Sequence, residues 1–402
     1  MFVTINYGIP TDLPGIKGER FMRLWQITRL KALQPWKQQT ARWLKVTSRK
    51  GFVFMFLLGM SLSVAIASCA PSNSNSPSPT TTAAGGASPA AKTGDAQVTL
   101  VSYAVTRAAY EKIIPQFTAK WKQERNQNVT FNQSYGGSGS QTRAVIDGLE
   151  ADVVNLALAL DTEKLEKAGL IEAGWEKEAP NGAIVTKSVA ALVTREGNPK
   201  GIKTWTDLAK DGVQVITANP KTSGGARWNF LGLWGSVTRT GGDDAKAQEL
   251  VTKVYKNVPV LPRDAREASD VFFKQGQGDV LINYENEVVL AGQNGQKLPY
   301  VVPDTNISID SPVAVVDKNV DKHGTREIAE AFVKFLYTPE AQREFAKVGF
   351  RPVDPTVGEE VAKQYAPVKT LFTAQDLGGW DEIQKKFFDD GTIFDKIQAS
   401  SR

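Results

Sequence analysis

The chain has 402 residues, 41% hydrophobic and 23% charged, enough for two domains with cores of their own, which excludes a small scaffold that depends on staples. Its formal charge of +5 is unevenly spread, because residues 1–68 hold ten Lys/Arg and two Asp/Glu, leaving 38 basic against 41 acidic residues in the remainder. A slightly acidic body argues against a basic groove for nucleic acid.

In chain order, the basic head leads into the apolar run Phe52-Val-Phe-Met-Phe-Leu-Leu-Gly, flanked by Arg49 and Lys50, and then into Met60-Ser-Leu-Ser-Val-Ala-Ile-Ala-Ser-Cys69. A run of this length closed by small residues reads as an export signal rather than a permanent bilayer span. The stretch before Arg49 is long for a signal, and Met22 is an alternative start. Cys69 is the one cysteine, so no internal disulfide can form. Ile66-Ala67-Ser68-Cys69 resembles the bacterial lipobox, whose cysteine is acylated and heads the mature chain. The alternative is a cysteine that merely ends a signal or a transmembrane anchor. From Cys69 to residue 96 the chain is dominated by Ser, Pro, Thr and Ala, too poor in apolar residues to offset chain entropy, and is expected to be a flexible tether.

Beyond the tether, short apolar runs alternate with amphipathic segments, the pattern of layered α/β domains. Strands are expected at 98–102, 129–134, 151–157, 184–193, 213–217, 258–261, 279–284 and 312–316. Tyr110, Ile113, Ile114, Phe117 and Trp121 share one helical face and read as core. A helix is expected at 325–336, with Ile328, Ala331, Phe332 and Phe335 on its packed face.

Three strand-to-helix junctions share one chemistry: Ser134-Tyr-Gly-Gly-Ser138-Gly-Ser140 before Val145, Ile146 and Leu149; Asn219-Pro-Lys-Thr-Ser223-Gly224-Gly225-Ala226 before Trp228, Leu231 and Trp234; and Pro262-Arg-Asp-Ala265-Arg266 before Ala268, Val271 and Phe272. A helix start exposes unpaired N–H groups and about half a positive charge, so it binds anions without a cationic side chain. Small residues let backbone approach a ligand closely, and serine hydroxyls add donors. One such junction is an ordinary turn, whereas three in one chain point to an anion cradle.

Ser102-Tyr-Ala104-Val-Thr-Arg107, Tyr135-Gly-Gly-Ser138-Gly139, Ala151-Asp-Val-Val-Asn-Leu-Ala-Leu-Ala159, Asn219 to Asn229, and Gly278-Asp-Val-Leu-Ile-Asn-Tyr284-Glu-Asn-Glu287 resemble the sulfate/thiosulfate-binding proteins of bacterial ABC transporters. The resemblance runs from about residue 98 to 397. It implies an α/β fold of type II periplasmic binding proteins: two lobes, each a central sheet flanked by helices, joined by two crossover strands. The expected lobes are 97–187 with 311–350, and 188–310 with 351–402. The resemblance also implies backbone donors at Ala104, Ser138, Gly224, Gly225 and Ala265, hydroxyl donors at Ser138 and Ser223, and a further donor at Tyr284. Arg227 and Arg266 are expected to pair with carboxylates behind the ligand rather than touch it. The family commonly has Asp at the position of Ala104, where only the N–H is needed, and Trp at the position of Tyr284, where a phenol can also accept a hydrogen bond.

The resemblance further implies capture of sulfate or thiosulfate, delivery to membrane permease subunits, a monomeric and periplasmic protein anchored through Cys69, and neither cofactor nor metal. A fully ionised sulfate has only acceptors, whereas phosphate near neutral pH keeps a proton that needs an acceptor; with no carboxylate among the expected contacts, sulfate is favoured. Molybdate and tungstate share its charge and shape. A hydrolase using Ser138 is disfavoured, because His323, the one histidine, falls in an expected exposed turn and Gly136 to Ser140 departs from Gly-x-Ser-x-Gly. One histidine and one cysteine leave few ligands for a metal. Asp152, Asp161 and Asp279 read as caps and internal partners, while Glu285 and Glu287 either support the hinge or face solvent.

Overall fold

The computed structural model describes residues 94–401, so the signal-like head, Cys69 and most of the tether lie outside them. Strands β1 (Ala96–Tyr103), β2 (Val129–Gly136), β3 (Val153–Asn155), β4 (Ile184–Ser188), β5 (Ala190–Thr194), β6 (Val215–Ile216), β7 (Val280–Tyr284), β8 (Tyr300–Val301), β9 (Thr305–Ile307), β10 (Ile309–Val315) and β11 (Thr370–Phe372) form three sheets. The first has the order β2-β1-β3-β10-β4, the second β6-β7-β5-β8, and β11 pairs with β9. β1 runs parallel to β2 and β3, and β10 antiparallel to β3 and β4. Val98, Leu100 and Val101 of β1 are all fully buried, as expected for a strand covered on both faces.

Helix Arg107–Arg125 covers one face of this sheet and buries Tyr110, Ile113, Ile114, Phe117 and Trp121. Phe117 meets Phe332 of helix Arg326–Leu336 at 5.1 Å between ring centroids. Ile328, Phe332 and Phe335 of that helix are buried as expected, and Ala331 is half-buried.

The expected strand at 184–193 is two strands in different sheets, β4 in the first and β5 in the second, parted at Val189. The chain returns through Ser308, between β9 and β10. The two passages are tied together, since the Asn306 side chain donates to Ala190 O (2.8 Å) and accepts from Ala190 N (3.1 Å). The expected strand at 258–261 does not form. Pro259 and Pro262 supply no ladder N–H, Val260 is exposed, and the backbone hydrogen bonds here are Val258 N donating back to Tyr255 O at 3.2 Å and Asn219 N donating to Pro262 O at 2.8 Å. The helix after Ser138 ends at Ile146, leaving Leu149 beyond it and Ile146 exposed.

Helix Gly224–Thr238 is apolar all round and accordingly buried. Phe230 on it meets Phe387 and Phe388 of the C-terminal segment at 5.5 and 5.3 Å.

Candidate functional site

Five helical starts meet at one point. Ala104 follows β1 into the short turn Ala104–Thr106, Ser138 follows β2 into Ser138–Ile146, Gly224 opens Gly224–Thr238, Ala265 opens Ala265–Ser269, and Tyr284 ends β7 as the N-cap of Glu285–Gln293. The first-turn N–H groups of a helix have no acceptor within it. These starts surround a cavity of ≈ 10 Å³ whose lining includes Ala104, Ser138, Ser223, Gly224, Gly225, Ala265 and Tyr284, all seven residues expected from the sequence. Organic ligands occupy roughly 300–1,000 Å³. The space suits one small inorganic ion.

The glycines follow from the closeness of the two sides. A Cβ on Gly137 would lie 2.5 Å from Thr222 O, and one on Gly224 would lie 2.6 Å from the Ala157 Cβ and 3.1 Å from the Ser138 Cβ. A Cβ on Gly225 would strike the Tyr284 ring at 2.7 Å. Only glycine allows the helix ends to meet so closely.

The polar side chains divide into committed and free. The Tyr284 hydroxyl is buried and has no hydrogen-bond partner among the described residues, while burial, with Tyr103 and Glu287 adding to it, pushes the phenol's pKa well up and keeps it protonated. Ser223 caps its helix by accepting from Ala226 N at 3.3 Å, which leaves its own hydrogen to donate. Ser138 differs from expectation, because its hydroxyl donates to Asp161 Oδ2 at 2.6 Å and accepts from Ala157 N at 3.0 Å. In this arrangement Ser138 offers the cavity its backbone N–H alone. Asp264, not singled out from the sequence, also lines the cavity. One of its carboxylate oxygens accepts from Glu267 N at 2.9 Å as a helix cap, so the lining is not free of carboxylate.

Neither arginine lines the cavity. Arg266 grips Glu287 through Nε at 2.9 Å and Nη2 at 2.7 Å, as expected. Arg227 departs from expectation: its hydrogen bonds run to Pro220 O (2.9 Å) and Gln384 Oε1 (3.1 Å), and its guanidinium lies over Phe388 at 5.0 Å. Burial lowers its pKa. Glu285 and Glu287 are buried rather than solvent-facing, and Glu285 accepts from Arg351 Nε at 2.8 Å.

The histidine is paired with carboxylates rather than with Ser138. His323 is exposed as expected but ends helix Asp317–His323 rather than sitting in a turn, and its ring nitrogens lie 2.9 Å from Glu150 Oε2 and 2.9 Å from Asp152 Oδ1. Ser138 bonds to a carboxylate and a backbone N–H instead, so it does not form the Ser–His pair considered from the sequence. Asp152, Asp161 and Asp279 are internal partners, accepting from Thr99 N, the Ser138 hydroxyl and Gln214 N respectively.

The family model of bacterial extracellular solute-binding proteins matches residues 98–351. A sulfate-binding protein of Synechococcus elongatus is 62% identical over 322 residues, covering 79% of this chain and 92% of its own. A thiosulfate-binding protein of Pseudomonas aeruginosa is 40% identical over 322 residues, covering 79% of this chain and 95% of its own. The solved sulfate-binding protein SubI from Mycobacterium tuberculosis matches with a TM-score of 0.67 at 38% identity, covering 73% of this chain and 100% of that one. The chain therefore belongs to the bacterial extracellular solute-binding proteins and has the α/β fold of periplasmic binding proteins.

Proposed function

We propose that this protein captures sulfate, with thiosulfate as a related ligand, and delivers it to the permease subunits of an ABC transporter. The observation that carries the reading is the ≈ 10 Å³ cavity ringed by helix starts and faced by a buried, unpartnered hydroxyl on Tyr284. The names of the two relatives and of the solved structure support it. Ala104, Ser138, Gly224, Gly225 and Ala265 supply backbone N–H donors, and Ser223 and Tyr284 supply hydroxyls. A hydrogen bond to a charged group contributes about 1.5–3 kcal/mol, so several are needed to offset the dehydration of a dianion. Arg227 and Arg266 act from behind the site.

The lobes are 97–187 with 311–350 and 188–310 with 351–402, so that Ala104 and Ser138 stand on one and Ser223, Gly224, Gly225, Ala265 and Tyr284 on the other. An anion held by both halves favours closure by binding them at once. The protein is a periplasmic monomer without enzymatic activity, held to the membrane by acylated Cys69. The test is calorimetric titration of protein stripped of bound anion with sulfate, thiosulfate, molybdate and phosphate. One-to-one sulfate or thiosulfate binding with weak phosphate binding is expected. Molybdate binding alone, or phosphate binding equal to that of sulfate, overturns the ligand assignment.

A further inference from the structure

On the reading that the cleft closes over an oxyanion, we infer that Trp228 is the latch of the closed form, holding the two halves together without touching the ligand. Its indole Nε1–H donates to Ala157 O at 2.8 Å. Ala157 follows β3 of the first sheet, whereas Trp228 lies on the helix that opens at Gly224, against the second. Both residues are buried, Trp228 at 1% and Ala157 at 0% exposure, and Trp228 is not part of the cavity lining. The bond therefore spans the seam between the halves in a place closed to water.

Ala157 is a fixed anchor. Its N–H donates to the Ser138 hydroxyl at 3.0 Å, and its carbonyl is what Trp228 reaches. The indole is steadied by Trp380, which packs against it edge-on at 4.8 Å and 78°. Another hydrogen bond across the same seam, Arg143 Nη1 to Lys221 O, is exposed and longer at 3.4 Å.

The latch is coupled to the ligand through the helix they share. Trp228 sits one turn beyond Gly224 and Gly225, so the movement that brings their N–H groups over an anion held at Ser138 brings the indole to Ala157. In an open cleft, water takes both groups. The net gain of one buried neutral bond corresponds to roughly a 2- to 12-fold shift toward closure. Such a shift appears chiefly in how slowly the ligand leaves.

The test measures sulfate dissociation by stopped flow from the wild type, Trp228→Phe and Trp380→Phe, together with indole hydrogen exchange by NMR in the wild type. Trp228→Phe is expected to release sulfate roughly 2- to 12-fold faster with little change in association rate. Trp380→Phe, which keeps the indole donor, is expected to change release less. In the wild type, sulfate is expected to slow exchange at the Trp228 indole but not at the Trp205 indole, which donates to Thr305 O at 2.8 Å beside the second sheet. Equal release from Trp228→Phe and wild type, or Trp228 exchange indifferent to sulfate, overturns the latch. A wild type that binds no sulfate overturns the functional reading instead.

Discussion

Replacing Gly224 by alanine separates the closed cleft from the fold as a whole. The added Cβ would lie 2.6 Å from the Ala157 Cβ, 3.1 Å from the Ser138 Cβ and 3.3 Å from Leu158 Cγ. All three partners are buried and belong to the opposite side of the cavity, so the clash exists only when the sides meet. Gly224 is not among the residues with positive φ, and alanine is a good helix former, so the open form loses nothing. Overpacking costs about 1–3 kcal/mol, which falls on the closed form and weakens sulfate binding roughly 5- to 150-fold. Calorimetry gives the affinity, and a thermal melt without ligand gives the stability. Gly139→Ala is the control, because its Cβ would meet Thr222 O at 3.5 Å, an ordinary contact. Wild-type affinity in Gly224→Ala, or a large fall in its ligand-free melting temperature, would contradict a clash confined to the closed cleft.

Tyr284→Phe should weaken sulfate binding by about 1.5–3 kcal/mol while leaving the ligand-free melting temperature near the wild-type value, since the hydroxyl loses water only when the cleft closes; titration and melting check the two halves separately. Arg266→Gln should cost about 3 kcal/mol or more of stability by leaving buried Glu287 without its cation, a loss read by denaturant unfolding. The His323 pKa is raised from 6.5 by hydrogen bonds to Glu150 and Asp152, with Lys322 and Thr325 on the same carboxylates. Its stabilisation is therefore fully present below pH 6.5 and is lost as pH rises through the higher folded-state value. Melting temperature measured from pH 6 to 9 should show this loss in the wild type and not in His323→Gln.

Much of the architecture was written in local pattern. β1 and β7 are apolar runs, β10 begins at Ile309 rather than at the expected 312, and the stripe from Tyr110 to Trp121 is the buried face of its helix. The junctions at Ser138, Ser223 and Ala265 were visible because glycine and serine before a helix have a specific physical use. Other features depend on partners distant in sequence. Nothing between residues 184 and 193 marks Val189 as a passage between sheets, and β9 and β11, each three residues long, carry no usable period. At 258–261 an apolar run has the look of a strand, although Pro259 within it and Pro262 just after it deny it a ladder. The Ser138 hydroxyl is drawn to Asp161, 23 residues further on, and Arg227 turns to Gln384, 157 residues away. Asp264 opens a helix in the sequence, and its place in the lining cannot be told there from an ordinary cap. Trp228 has the spacing of a core residue, and only the closed geometry gives its indole nitrogen a use.

The most direct test of the cradle uses selenate, a heavier tetrahedral dianion, bound to crystals of the protein and located by selenium anomalous scattering. One strong peak is expected inside the cavity, with the backbone nitrogens of Ala104, Ser138, Gly224, Gly225 and Ala265 and the hydroxyls of Ser223 and Tyr284 within hydrogen-bond distance of the anion's oxygens. A peak at a surface cation with the cavity empty would contradict it.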